Sequence, residues 1–189
     1  MATTTGDTDV APVPSSLGWK FLSLTRIAIG FVFLWAFLDK LLALGFHTGK
    51  DDETGVVDYF GPASWIGGGH VTEGYLVYGG NPDSPFHEFF VNLGAERWTD
   101  WGFMFGLLAV GVALMLGIGS KLGAWGGTAL LVFMYMTQMW PANNPFLDDH
   151  IVYSLAIIGI VFVELGRQDI GLGKWWRKLP IVQKNSWLV

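Results

Sequence analysis

Four apolar stretches dominate the pattern along the chain, at 21–46, 101–119, 122–140 and 151–166. The first is interrupted by Arg26, Asp39 and Lys40. The second carries no charge, the third has Gln138 as its one strongly polar side chain, and the fourth ends near Glu164. A helix that crosses the hydrocarbon needs about 20 residues at roughly 1.5 Å each. The fourth stretch reaches that length if its helix starts near Asp148. The runs lack the period-two alternation of barrel strands, so helices are expected. Ser120 and Lys121 alone separate the charge-free parts of the second and third stretches, which predicts a tight antiparallel hairpin. The third and fourth are joined by 141–150, and 47–100 is the one large loop.

The expected fold is therefore all-α: an integral membrane four-helix bundle with a long extracytoplasmic loop between helices one and two. Residues 1–16 read as a disordered cytoplasmic tail, 17–178 as the transmembrane domain, and 179–189 as a cytoplasmic C-terminal tail. Composition agrees. Hydrophobic residues make up 51% and charged ones only 14%, against about 25% charged in a typical soluble domain. Ten Trp and fourteen Phe fit the aromatic belts of a membrane protein. With no cysteine, disulfides, thiolate catalysis and Cys-ligated zinc or iron–sulfur clusters are excluded. The first residues carry Asp7 and Asp9 and no basic region, so a signal peptide is not expected.

Lys and Arg set the orientation. Lys20, Lys121, Arg167, Lys174, Arg177, Lys178 and Lys184 fall on one side of a four-span chain, which is then cytoplasmic with both termini. The loop 47–100 holds nine acids against Lys50 and Arg97, and is placed outside. It is too long for a simple turn. Segments 58–65 and 85–93 could form short surface helices, and the loop as a whole reads as a packed cap, a lid or a docking surface. Gly67, Gly68 and Gly69 lack the strand-to-helix setting of a phosphate cradle, and nucleic acid is not an expected partner. Gly102, Gly106, Gly123, Gly126 and Gly127 suit close helix packing. Met134, Met136 and Met139 read as apolar filling.

Charges inside spans are costly and usually paired or functional. Lys40 lies fourteen residues beyond Arg26, roughly 21 Å along a helix and about 40° around it. Glu164 lies fifteen residues beyond Asp149 on a helix running the other way, with Tyr153 on the face between. Two rungs are expected: Arg26 with Glu164 at the inner end, and Lys40 with Asp149 or His150 at the outer. The inner rung reads as a structural ion pair that sets helix register. The outer has richer company at similar depth, in Asp39, Gln138, Asn143, Asn144 and His150. His47, His70, His87 and His150 all fall on the outer side but lack tight ligand spacing, so no metal site is expected.

The stretch 25–41, TRIAIGFVFLWAFLDKL, resembles the first helix of the DoxX/DoxD membrane family. The stretch 144–153, NPFLDDHIVY, is similar to that family's signature at the start of its last helix, and the short hairpin between helices two and three also fits. The loop with PASWIGGGH at 62–70 looks like the branch known as the thiosulfate:quinone oxidoreductase membrane subunit. The resemblance extends from about residue 20 to 175. It implies a four-helix bundle in a prokaryotic plasma membrane, and a link to thiosulfate oxidation with electrons passed to membrane quinone. By position, its polar residues fall on Arg26, Lys40, Asn144, Asp148, Asp149 and His150.

The function expected is thus a membrane subunit of a quinone-linked oxidoreductase. Lys40, Asp149 and His150 are the expected catalytic residues, and Asp39, Gln138, Asn144 and Tyr153 are expected to help hold the quinone. Lacking Cys and any redox-centre motif, the chain would transfer electrons directly from substrate to quinone or work with a partner subunit. The acidic outer loop argues against an anionic substrate, because its field repels one. The alternative is a non-catalytic accessory subunit of a respiratory or oxidative-stress membrane complex.

Overall fold

The structure, a computed structural model, describes residues 16–189. The expected disordered tail lies outside the described residues except for Ser16, which begins a helix. The described chain is helical, and its one β-bridge joins Lys50 to Val57. Its helices are α1 (Ser16–Leu42), α2 (His87–Gly94), α3 (Trp98–Leu116), α4 (Ser120–Thr137), α5 (Asp149–Glu164), α6 (Gly173–Trp176) and α7 (Pro180–Lys184). A π-helical turn, Gly74–Tyr78, precedes α2, and a 3₁₀ turn, Ser186–Leu188, ends the chain.

The four long helices close a ring: α1 packs on α3, α3 on α4, α4 on α5, and α5 on α1. Inside it, Phe33, Met104, Leu107, Leu114, Ile157 and Val161 form the core. The closest approach is between α1 and α3, where each helix offers a glycine. A Cβ on Gly30 would stand 2.8 Å from the Met115 backbone nitrogen, and one on Gly111 would stand 2.8 Å from that of Leu34. Large apolar side chains cover the outer faces too. Phe21, Phe31, Trp101, Phe105, Trp125, Phe133 and Leu155 are all exposed.

Two helices, α1 and α3, are long and apolar enough to cross a membrane. The 16 residues of α5 span only roughly 24 Å, short of the full-length fourth span the sequence suggests. That helix starts at Asp149, as Asp148 accepts the Ile151 N–H and caps it. The hairpin also differs from expectation. Ser120 and Lys121 belong to the first turn of α4, and the reversal is made by Gly117 and Gly119, with φ of 72° and 54°. Only glycine adopts that left-handed backbone without steric cost.

The loop between α1 and α3 folds down on the ring. Trp65 and Val71 pack against the core, Asn81 N–H donates to Thr137 O at 2.9 Å, and Ser84 Oγ donates to Met136 O at 2.8 Å. The loop is thus packed against the helices. Segment 58–65 forms turns rather than a helix, while α2 occupies most of 85–93. Within the loop, Thr54 donates its N–H and hydroxyl to Asp51, which holds that carboxyl below its usual range. At the other end of the molecule the last residues fold back on α4. Lys121 N–H donates to Val189 O at 2.9 Å, and Trp176 Nε1–H donates to Leu188 O at 2.6 Å.

Candidate functional site

Two polar centres lie at opposite ends of the ring. The first is built around Arg26, which is 1% exposed. Its Nε donates to Glu164 Oε2 at 2.6 Å, Nη2 donates to Ile170 O at 2.6 Å, and Nη1 donates to Leu114 O. Ser23, one helical turn before Arg26, donates its hydroxyl to the second oxygen of Glu164. Every charged nitrogen and oxygen of the pair therefore has a partner, the condition under which buried ions are tolerated. The Leu114 carbonyl belongs to the last turn of α3, where four carbonyls lack helical partners. Arg26 thus ties α1 to the ends of α3 and α5 and to the chain that follows. Close by, Arg167 grips Asp169 through Nε at 3.0 Å and Nη2 at 3.2 Å and holds its carboxyl below the usual range.

The second centre is a cleft of about 520 Å³ walled by α1, α3, α4 and α5. Its length is apolar: Ile29, Val32, Phe33 and Ala36 from α1, Phe103 and Leu107 from α3, and Leu131 and Met134 from α4. One end, formed by the C-terminus of α1 and the N-terminus of α5, carries Lys40, His47, Asp149, His150 and Tyr153. From Thr25, at the other end, to Lys40 is fifteen residues, or roughly 22 Å of helix. The site is long, greasy and polar at one end. Its volume falls in the range of small-molecule pockets.

Lys40, Asp149, His150 and Tyr153 are thus brought together, but not as an ion-paired rung. No salt bridge within 4.0 Å joins Lys40 to Asp149 or His150. The cleft lies between them. The ammonium of Lys40 stands 6.0 Å from the centre of the Phe103 ring. His150 instead pairs with Asp148, Nδ1 to Oδ2 at 2.6 Å. Asp149 is exposed on the first turn of α5.

Three of the expected quinone-holding residues do other work. Asp39 is 1% exposed, and its two oxygens accept from the N–H groups of Phe46 and His47 at 3.1 and 3.0 Å. Those amides follow the end of α1, where no helical carbonyl serves them, and the Asp39 carboxylate takes both. Gln138 leaves the cleft to donate from Nε2 to Gly79 O at 2.7 Å, tying the loop to the end of α4. Asn144 accepts from Phe146 and Leu147 N–H at 3.1 and 3.2 Å and shapes an exposed turn. In both, the short amide serves backbone groups that helices no longer satisfy.

The sequence reading missed a third buried cluster. Asp100, in the first turn of α3, is 2% exposed. It accepts from His70 Nδ1 at 3.0 Å, Thr72 N–H at 2.9 Å and the Thr72 hydroxyl at 2.8 Å. The Thr72 hydroxyl also meets that of Thr99 at 2.8 Å. This cluster fastens the loop to α3. Its signal was Asp100 itself, the one acid of the loop directly against an apolar run. Among the described residues, no three His, Asp or Glu gather as a metal site.

Compared with known protein families, curated proteins and solved structures, the chain finds no match.

Proposed function

We propose that this chain is the membrane subunit of a quinone-linked oxidoreductase, with the quinone held in the cleft between α1 and α5. The observation that carries the reading is the shape of that cleft: roughly 22 Å long, largely apolar, with its titratable side chains Lys40, His47, Asp149, His150 and Tyr153 confined to one end. A quinone has the same division, a ring with two hydrogen-bonding oxygens and a long apolar tail. Lys40 and His150 would bind the ring oxygens, with Tyr153 beside them. A reduced sulfur compound such as thiosulfate would supply electrons. Two thiosulfate ions join through one new S–S bond as tetrathionate. The two electrons released, with two protons, convert quinone to quinol.

The membrane setting is part of the same proposal. The exposed Phe, Trp and Leu side chains of all four long helices form an outer surface that suits lipid better than water. α1 and α3 meet the length and apolarity of spans. The shorter α4 and α5 would complete a four-helix membrane bundle. Lys121, Arg167, Lys174, Arg177, Lys178 and Lys184 would mark the cytoplasmic side of a prokaryotic plasma membrane, with both termini there and the loop between α1 and α3 outside. Tags at residues 5 and 185 should be protected in sealed right-side-out vesicles, while a protease site placed near Asp83 should be cut. Termini found on opposite sides of the membrane would end the four-span reading.

The function is tested on the protein purified in mild detergent. It should reduce a short-chain benzoquinone when thiosulfate is supplied, and the rate should saturate in both. Inactivity alone, with activity restored only by co-purifying haem or flavin subunits, would transfer the electron donor's site to a partner and favour the accessory-subunit alternative.

A further inference from the structure

The cleft's two ends differ in a way that bears on protons, and this argument rests on the quinone reading above. We infer that the site exchanges protons only with the side on which α5 begins, through a carboxylate–imidazole pair formed by Asp148 and His150.

His150 lines the cleft. Its Nδ1 lies 2.6 Å from Asp148 Oδ2, and the two side chains are 24% and 13% exposed. They are thus open to water yet ordered. Asp148 is fixed from its other oxygen, which accepts the Ile151 N–H at 3.2 Å as the cap of α5. With Nδ1–H donated to this carboxylate, Nε2 is the ring nitrogen left for a ligand. Asp148 is a positioning residue, acting through His150. Asp149, the carboxylate expected from the sequence, makes no such contact with His150. The other titratable groups on the cleft are Lys40 from α1, His47 from the loop, and Asp149 and Tyr153 from α5. The walls from α3 and α4 bring only Phe103, Leu107, Leu131 and Met134.

The far end holds no titratable side chain: Thr25 is the polar residue lining it, and its hydroxyl donates to Phe21 O at 2.8 Å. Beyond lies the Arg26–Glu164 pair with its hydrogen bonds filled, and beside it a void of only about 10 Å³, the lower limit for a single water.

The step balances as quinone plus two electrons plus two protons giving quinol. The reduced sulfur donor supplies the electrons. The Nε2–H of protonated His150 supplies each proton to a ring oxygen, and water on the same side reprotonates the ring. Because electrons and protons enter from one side, turnover moves no net charge across the bilayer.

The test uses the full chain in phosphatidylcholine vesicles loaded with a long-chain benzoquinone. Thiosulfate is added outside to the population with the α1–α3 loop outward, and a pH dye and a voltage dye are followed. Two protons per quinone should leave the outer compartment, with no membrane potential. Proton uptake from the lumen, or a potential that grows with turnover, overturns the inference while leaving the quinone site standing. Vesicles that bind no quinone and do not turn over would overturn both. Asp148→Asn keeps a good helix cap and should retain bound quinone. It weakens the acceptor that holds the His150 ring in place, so kcat for quinone reduction should fall while the KM for quinone stays unchanged. An unchanged kcat contradicts the role of Asp148.

Discussion

Arg26→Ala is expected to destabilise the protein by about 3–5 kcal/mol, the usual cost of stranding one member of a buried ion pair. The change leaves Glu164, 2% exposed, charged and facing a void. It also removes the donors that serve Leu114 O and Ile170 O, each a backbone carbonyl with little else at hand. Thermal unfolding in detergent should show a large drop in midpoint, or no folded protein. Arg26→Met with Glu164→Gln removes both charges and keeps a side-chain amide for the Ser23 hydroxyl. It should recover a substantial part of the loss, because the penalty of a lone buried charge is gone. A double variant no more stable than Arg26→Ala would show that the carbonyl contacts, not the pair, carry the stability.

The second large effect is at the opposite end. Lys40→Ala should weaken quinone binding by about 1.5–3 kcal/mol, the value of a charge-assisted hydrogen bond, or roughly ten- to a hundredfold. The fold should survive, since Lys40 has no ion-pair partner among the described residues and Asp149 is exposed. Binding by fluorescence quenching, with unfolding midpoint measured in parallel, separates the two effects. Unchanged affinity in a stable Lys40→Ala protein would remove Lys40 from the site.

The two ends were not equally legible in the sequence. Arg26 and Glu164 could be matched because each is a lone charge within an apolar run, and depth along a helix is set by rise per residue. The carbonyls that complete the network could not. They depend on where α3 ends, and the left-handed glycines 117 and 119 moved that boundary. At the outer end, depth alone groups Lys40, Asp39, Gln138, Asn143, Asn144, Asp149 and His150, of which Lys40, Asp149 and His150 line the cleft. The others sit where helices stop, and unpaired backbone amides and carbonyls claim a nearby polar side chain before any ligand does. Helix periodicity says nothing about those irregular segments. The same limit hid His70 and Thr72, whose partner Asp100 lies 30 and 28 residues away. Ring closure by four long helices followed more directly from the apolar pattern, because each run had a face to bury.

The claim on which the rest depends is that the cleft holds a quinone. Ala36 lines it one helical turn before Lys40. Ala36→Trp should fill the space beside the polar end while leaving Lys40 and His150 in the chain. Wild-type protein and this variant, both purified from a quinone-containing membrane in mild detergent, are extracted and assayed for bound quinone by chromatography. The account predicts close to one quinone per wild-type chain and almost none in Ala36→Trp at an unchanged unfolding midpoint. Wild-type protein without quinone, or a folded Ala36→Trp protein carrying as much as wild type, would contradict it.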